Sequence, residues 1–237
     1  MTDLITGNYR FADKVVEVNS LFEDVHRYCA TYKTDRPADF SVTIRKEDIG
    51  YEKSHSELGN MHDPYLEELA VYRKISEKMP FYDTVLFHGS VIAVDGSAYL
   101  FAASSGTGKS THAALWRKLL GDRAVMVNDD KPLLHVGSVT TAYGTPYDGK
   151  HHLSNDIAVP LKAICILERS EENHIEKITV KEAYPMLVQQ TYRPLDPASL
   201  MKTLELIDRL AASVDLYRLG CNMDISAAKL SYEFMSR

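Results

Sequence analysis

The chain has 237 residues, 45% hydrophobic and 25% charged, with 27 Lys and Arg against 33 Asp and Glu for a net charge of −6. These proportions fit an ordinary folded protein of one large domain or two small ones and exclude intrinsic disorder and a fibrous architecture. A net-acidic surface repels a phosphate backbone, which argues against nucleic acid as a partner. In chain order, residues 11–18 read as a strand. Residues 21–32 read as a helix, with Leu21, Val25, Tyr28 and Tyr32 along one side, and residues 40–44 as a second strand. Residues 51–63 are polar and show no clear period. A helix follows Pro64, a favoured first-turn residue, with Leu66, Leu69, Tyr72 and Ile75 on one side, and Pro80 ends it. His62-Asp63 just before it reads as capping chemistry.

From residue 84 the pattern changes. Two apolar runs, 84–94 and 98–103, are joined by Asp95-Gly96, a strong hairpin signal. Residues 111–120 predict a helix carrying Leu115, Trp116, Leu119 and Leu120, closed by Gly121. Residues 124–127 and 162–167 read as buried strands around an irregular stretch rich in Gly, Thr, Tyr and His. Leu200, Leu204, Ile207, Ala211 and Val214 mark a long amphipathic helix, followed by a strand at 216–219 and a final helix at 225–235. A boundary near residue 83 divides an N-terminal α/β segment, 1–83, from a core, 84–237. Residues 1–7 lack the basic and apolar stretches of a signal peptide, and no apolar run nears the about 20 residues that cross a bilayer, so no membrane partner is expected and the location expected is cytoplasmic. Cys29, Cys165 and Cys221 have neither disulfide nor metal-ligand spacing and read as small buried residues.

Chemistry concentrates at Ala103-Ser104-Ser105-Gly106-Thr107-Gly108-Lys109-Ser110, which fits the phosphate-loop pattern G-x-x-x-x-G-K-[ST] with Ala103 at the first glycine. In such a loop, backbone N–H groups and a helix N-terminus wrap a phosphate chain. Ser105, Gly106, Thr107, Gly108, Lys109, Ser110 and Thr111 are therefore the expected ATP contacts, with Lys109 on the terminal phosphates and the Ser110 hydroxyl on Mg²⁺. The motif follows a strand and opens a helix, as that mechanism requires. Asn128-Asp129-Asp130 comes directly after the run 124–127, where a magnesium-holding acid stands in phosphate-loop proteins; of two adjacent acids, one can serve the metal and the other take a proton from an attacking hydroxyl.

The loop follows the second arm of a hairpin whose first arm carries His88-Gly89-Ser90. With these residues in view the sequence resembles the HPr kinase/phosphorylase catalytic domain and, more distantly, ATP-dependent phosphoenolpyruvate carboxykinase. The resemblance runs from about His88 to Asp130 and continues loosely through residues 144–150; residues 1–83 carry none. It implies an α/β phosphate-loop fold with a mixed sheet, the loop placed after a β-hairpin, beside a smaller N-terminal α/β segment. It also implies a kinase that uses ATP and Mg²⁺ to phosphorylate a hydroxyl on a small molecule or a peptide seryl side chain. Carried over, Lys109 and Ser110 contact ATP and Mg²⁺, Asp129 is the base, Asp130 is a metal ligand, and His88 stands near the carboxylates or the transferred group. The order of the two aspartates stays open. The glycine-rich signature that follows the aspartates in HPr kinases is absent, so neither HPr as substrate nor a phosphorylase activity is carried over. Whether the chain forms a homo-oligomer is open.

Lys150, with His151 and His152, reads equally as a substrate-facing loop or a solvated turn. Arg193, between Tyr192 and Pro194, is either a cation for the phosphoryl group or a surface arginine. His112, on the helix after the loop, reads as half-buried structure. Two further functions stand beside the kinase: a nucleotide-binding regulator with no acceptor, and a carboxykinase-like enzyme, which the chain length disfavours.

Overall fold

The computed structural model describes residues 4–55, 61–149 and 152–237, and its chain divides into two units, Met1–Met79 and Pro80–Arg237. In the first unit the strand expected at 11–18 is instead a hairpin. Ala12 and Asp13 both take positive φ, 48° and 63°, and fold β1 (Ile5–Phe11) back antiparallel onto β2 (Lys14–Ser20). The turn lacks the Asn-Gly or Asp-Gly pair that makes such a reversal readable. The helix expected at 21–32 shortens to α1 (Asp24–Tyr28) and a 3₁₀ turn, Ala30–Tyr32. Strand β3 (Phe40–Thr43) lies parallel to β2. Helix α2 (Lys46–His55), which the sequence reading missed, buries only Ile49 and so leaves almost no apolar period.

Helix α3 (Asp63–Lys78) buries Leu66, Ala70, Val71 and Ile75, and among the described residues no side chain caps its start at His62. The fully buried Glu67 accepts hydrogen bonds from the backbone N–H groups of Leu21 (2.5 Å) and Phe22 (2.9 Å), fixing the end of the hairpin to this helix.

The second unit carries the conspicuous motifs. Residues 84–94 break into β4 (Thr84–Leu86) and β5 (Gly89–Val94), and β5 turns at Asp95-Gly96, both at positive φ, into β6 (Ser97–Ala102). There follow α4 (Lys109–Leu120), β7 (Ala124–Asp130), the hairpin β8 (Leu133–Val136) and β9 (Thr140–Tyr143), and the long β10 (Ala158–Arg169). Next come β11 (His174–Lys177), α5 (Val180–Gln190), α6 (Pro197–Ser213), β12 (Asp215–Cys221) and α7 (Ile225–Met235). The sheet order is β4-β8-β9-β10-β6-β5-β7, with β12 paired to the second half of β10 and β11 to β12.

Strand side chains alternate between two faces. On β6, Leu100 and Ala102 join a core with α5 and α6, through Leu187, Leu206 and Leu210. Tyr99 and Phe101 join another core with α4 and α7, through Trp116, Ala228 and Met235. The unit is thus a mixed sheet between two pairs of helices. Strands β6, β10 and β12 are mutually parallel, and β5 is antiparallel to both β6 and β7. The C-terminal ends of β6, β7, β10 and β12 therefore meet at one end of the sheet, together with the start of β5, where parallel strands leave a crevice for ligands. Among the described residues no helix is long and apolar enough to cross a membrane. Cys29 and Cys165 are buried, and none of the three cysteines is in a disulfide.

Candidate functional site

The loop from Ala103 to Ser110 leaves β6 and enters α4 at this end of the sheet. Gly106 and Gly108 have φ of +74° and +121°, a region that side chains disfavour, and a Cβ at Gly106 would meet nothing within 4 Å. The loop so shaped leaves its backbone open to the cleft it borders. The first N–H groups of α4 have no carbonyl ahead of them in the helix, and its first residues, Lys109, Ser110 and Thr111, line that cleft. Lys109 folds back and donates to the Ala103 carbonyl at 3.0 Å; burial lowers its amine below the usual lysine value, more than the Asp130 and Asp129 carboxylates restore. From the end of β10, Arg169 donates to the Gly106 carbonyl at 2.7 Å and so clasps the loop from outside.

The two aspartates belong to strand β7 itself, which runs three residues beyond the strand expected at 124–127. Asp129 lies opposite Ser90 of β5 in the antiparallel register, Asp130 opposite Gly89. Directly opposed residues share a face, and the Ser90 hydroxyl donates to Asp129 Oδ1. Asp129 is only 6% exposed. Asp130, the last residue of the strand, has other partners: His88 Nε2 stands 3.2 Å from its Oδ1 and Lys131 Nζ 3.2 Å from its Oδ2. Burial raises the Asp130 carboxyl, but the hydrogen bond from His88 and the nearby charges of Lys131 and His88 outweigh it and hold the group below the ordinary aspartate range.

His88 is no core residue; its side chain is 38% exposed. Substituting His88 with alanine should therefore leave the melting temperature nearly unchanged and reduce turnover at least about tenfold. The variant's Asp130 would titrate higher, because a hydrogen bond that favours its charged form is gone. The acidic limb of its pH–rate profile should move to higher pH. A variant that melts much earlier but turns over normally per folded molecule would return His88 to a structural role.

A buried polar network holds this end of β7 in place. The fully buried Asn128 accepts from the Asp130 and Lys131 N–H groups (2.9 and 2.6 Å) and donates to the Thr145 carbonyl and hydroxyl (both 3.1 Å). Gly149 donates its N–H to the Asp129 carbonyl at 3.0 Å, and a Cβ there would lie 2.6 Å from that oxygen, so only glycine permits the approach. Asp148 accepts from the Ser154 N–H and hydroxyl, and Asn155 donates its N–H to the Val127 carbonyl of β7 at 3.2 Å. Neither Ser90, Asn128, Thr145 nor Arg169 was given a role from sequence; the first three depend on pairings between distant segments.

His88, Ser90, Ser105, Gly106, Gly108, Lys109, Ser110, Thr111, Asp129 and Asp130 all line one cleft of about 470 Å³. Thr107 lines a second, larger cleft of about 650 Å³ on the outer side of the loop, with Leu115, Leu167, Arg169 and Met223. Arg193 is brought to neither cleft. It donates to the Val188 and Gln189 carbonyls (2.6 and 3.3 Å) and closes the last turn of α5. Lys150 and His151 lie outside the described residues.

His112, expected half-buried, is 2% exposed. Its Nε2 bonds the Ser231 hydroxyl at 2.9 Å, and burial lowers its pKa to about 4. The folded protein thus holds a neutral imidazole that the unfolded chain would protonate near pH 6.5. Its contribution to stability is complete above about pH 6.5 and is lost as pH falls toward 4, by up to about 3 kcal/mol. Denaturation measured across that interval should be flatter in His112→Gln than in the parent; equal slopes would remove this assignment.

The family model described as "SynChlorMet cassette protein ScmC" matches residues 63–222. No curated protein gives a significant match. Among solved structures, the Hpr(Ser) kinase/phosphatase from Coxiella burnetii aligns with 63% of this chain and 95% of its own at 8% identity and a TM-score of 0.36, a likeness too slight to carry an argument.

Proposed function

The chain belongs to the SynChlorMet cassette protein ScmC family, and for this member we propose, from the geometry of the cleft, an ATP- and Mg²⁺-dependent phosphotransferase acting on a hydroxyl acceptor. The observation that carries the reading is convergence. Lys109 and Ser110 from the β6–α4 junction, Asp129 and Asp130 from β7, and His88 from the entry to β5 line a single cleft. Nothing about core packing requires these residue types to gather there.

The residues fit the groups invoked. A hydroxyl and carboxylates are hard oxygen donors of the kind Mg²⁺ prefers, and Mg²⁺ is commonly held by one or two carboxylates together with substrate phosphates. Among the described residues no cluster of three His, Cys, Asp or Glu could hold a metal unaided, which agrees with a metal that arrives with the nucleotide. Ser110 and Asp130 would hold Mg²⁺, which when bound neutralises charge on the phosphate oxygens. Asp130, kept ionised, suits that role. Lys109 and the backbone of residues 105–111 would bind the phosphates, and the partly apolar cleft beside Thr107 would take the nucleoside.

Asp129 borders the space left for the acceptor and takes the proton of its hydroxyl. The acceptor oxygen then bonds the γ-phosphorus as the bond to the bridging oxygen breaks, releasing ADP. The test is to follow ADP release and product mass with Mg-ATP and a panel of hydroxyl compounds. ADP release that responds to an acceptor, with a phosphorylated product, is the expected result. Nucleotide binding with no response to any acceptor would favour a nucleotide-gated regulator.

A further inference from the structure

The central cleft has a neighbouring cavity on each side. Toward β10 and β12 it meets the larger cleft, sharing Gly106, Gly108 and Thr111 with it. Toward β7 it meets a channel of about 260 Å³, sharing Ser110, Thr111 and Asp129. In the sheet β12 and β10 lie on one side of β6 and β7 on the other, so the two cavities flank the loop. Beyond it lies a cleft of about 580 Å³, with Arg117, Met126 and Leu153 lining both.

We propose that this channel admits the acceptor and that Arg117 recognises a carboxylate or phosphate on it; the inference rests on the phosphotransferase reading above. Asp129 lines the channel whereas Asp130 does not, so an acceptor inside it meets the carboxylate assigned as base and not the one assigned to the metal. The walls are apolar, with Ala113, Ala114, Met126 and Leu153. Arg117 is the one cation among the described lining residues of the channel. It is exposed, and no described carboxylate forms an ion pair with it. Asp122 lines only the outer cleft, so Asp129 and Arg117 are the charged groups among the described residues that line the channel. A guanidinium with no ion-pair partner among the described residues, on a largely apolar lining that also holds a carboxylate, fits an anionic group on the entering molecule.

Arg117 follows Ser110 by seven residues, about 10 Å along α4. That separation suits an acceptor whose anion stands some distance from its hydroxyl. Two sources share this chemistry: a hydroxy acid, or a peptide seryl group with an acidic residue two or three positions away, at about 3.3 Å per extended residue.

The experiment measures phosphorylation by Mg-ATP of seryl peptides carrying Glu three residues after the serine and of the same peptides with Gln. It does the same with small hydroxy acids and their neutral amides, and measures nucleotide affinity separately by calorimetry. The acidic member of a pair should be preferred. Arg117→Ala should raise its KM about 10- to 100-fold with Mg-ATP affinity unchanged. Arg117→Glu should turn the preference toward a Lys-bearing peptide. Which pair responds identifies the source. Equal use of acidic and neutral members, an unchanged KM in Arg117→Ala, or nucleotide binding with no acidic probe phosphorylated would overturn the inference. Loss of Mg-ATP binding by the parent protein would instead overturn the phosphotransferase reading itself.

Discussion

Lys109→Ala should lower Mg-ATP affinity and turnover by ~100-fold or more while leaving the protein folded. On the proposed phosphotransferase reading, the size follows from removing a charged donor to phosphate oxygens in a partly enclosed site, where such a contact is worth roughly 3 kcal/mol. The fold should tolerate the change for a separate reason. Lys109 fills no core; its side chain donates to the Ala103 carbonyl, and burial already works against its charge. Calorimetric titration with Mg-ATP, paired with a thermal melt, reads both quantities. Parent-like nucleotide affinity in a folded Lys109→Ala protein would remove the phosphate-loop reading, and the kinase with it.

Of comparable size is the effect of the aspartates, and here the two substitutions should part. Asp130→Asn should weaken Mg-ATP binding, since an amide is a poorer metal ligand and the pairing with His88 and Lys131 loses its negative partner. Asp129→Asn should bind Mg-ATP normally and turn over ~10²–10⁴-fold more slowly, because an amide cannot accept the hydroxyl proton. The isosteric change keeps the volume and leaves the Ser90 hydroxyl an amide oxygen to bond. Were the effects exchanged, the roles of the two residues would be reversed and the site retained. If both variants transferred phosphoryl groups at near-parent rates, the mechanism would be wrong.

How much of this was legible beforehand depended on range. The loop from Ala103 to Ser110, its lysine and serine, the turn at Asp95-Gly96 and the last helix, Ile225–Met235, are written in contiguous residues. Their signals are local: glycines where positive φ is required, an apolar run before the loop, a helical period after it. What failed locally failed for physical reasons. The turn at Ala12-Asp13 uses non-glycine residues at positive φ, and α2 buries a single residue, so neither left a period or a breaker to read. Helix α5 carries a capping box at Thr179 and Glu182, but Pro185 inside it is a helix breaker that hides its period.

By itself the sequence determined an acidic α/β protein, a glycine-rich loop between a strand and a helix, and an acid pair at the end of a later strand. Only the tertiary structure decided which of these meet. Strand β5 runs antiparallel between β6 and β7, a pairing set by side chains buried on both faces of the sheet. That arrangement brings His88 to Asp130 and Ser90 to Asp129 across about forty residues of chain. It also leaves Arg193 closing the last turn of α5, outside the lining of either cleft, and sets Asp129 and Arg117 on one channel beside β7. Strand partnership depends on the whole sheet's burial and on closing long loops, and neither is recorded in the few residues that carry the chemistry.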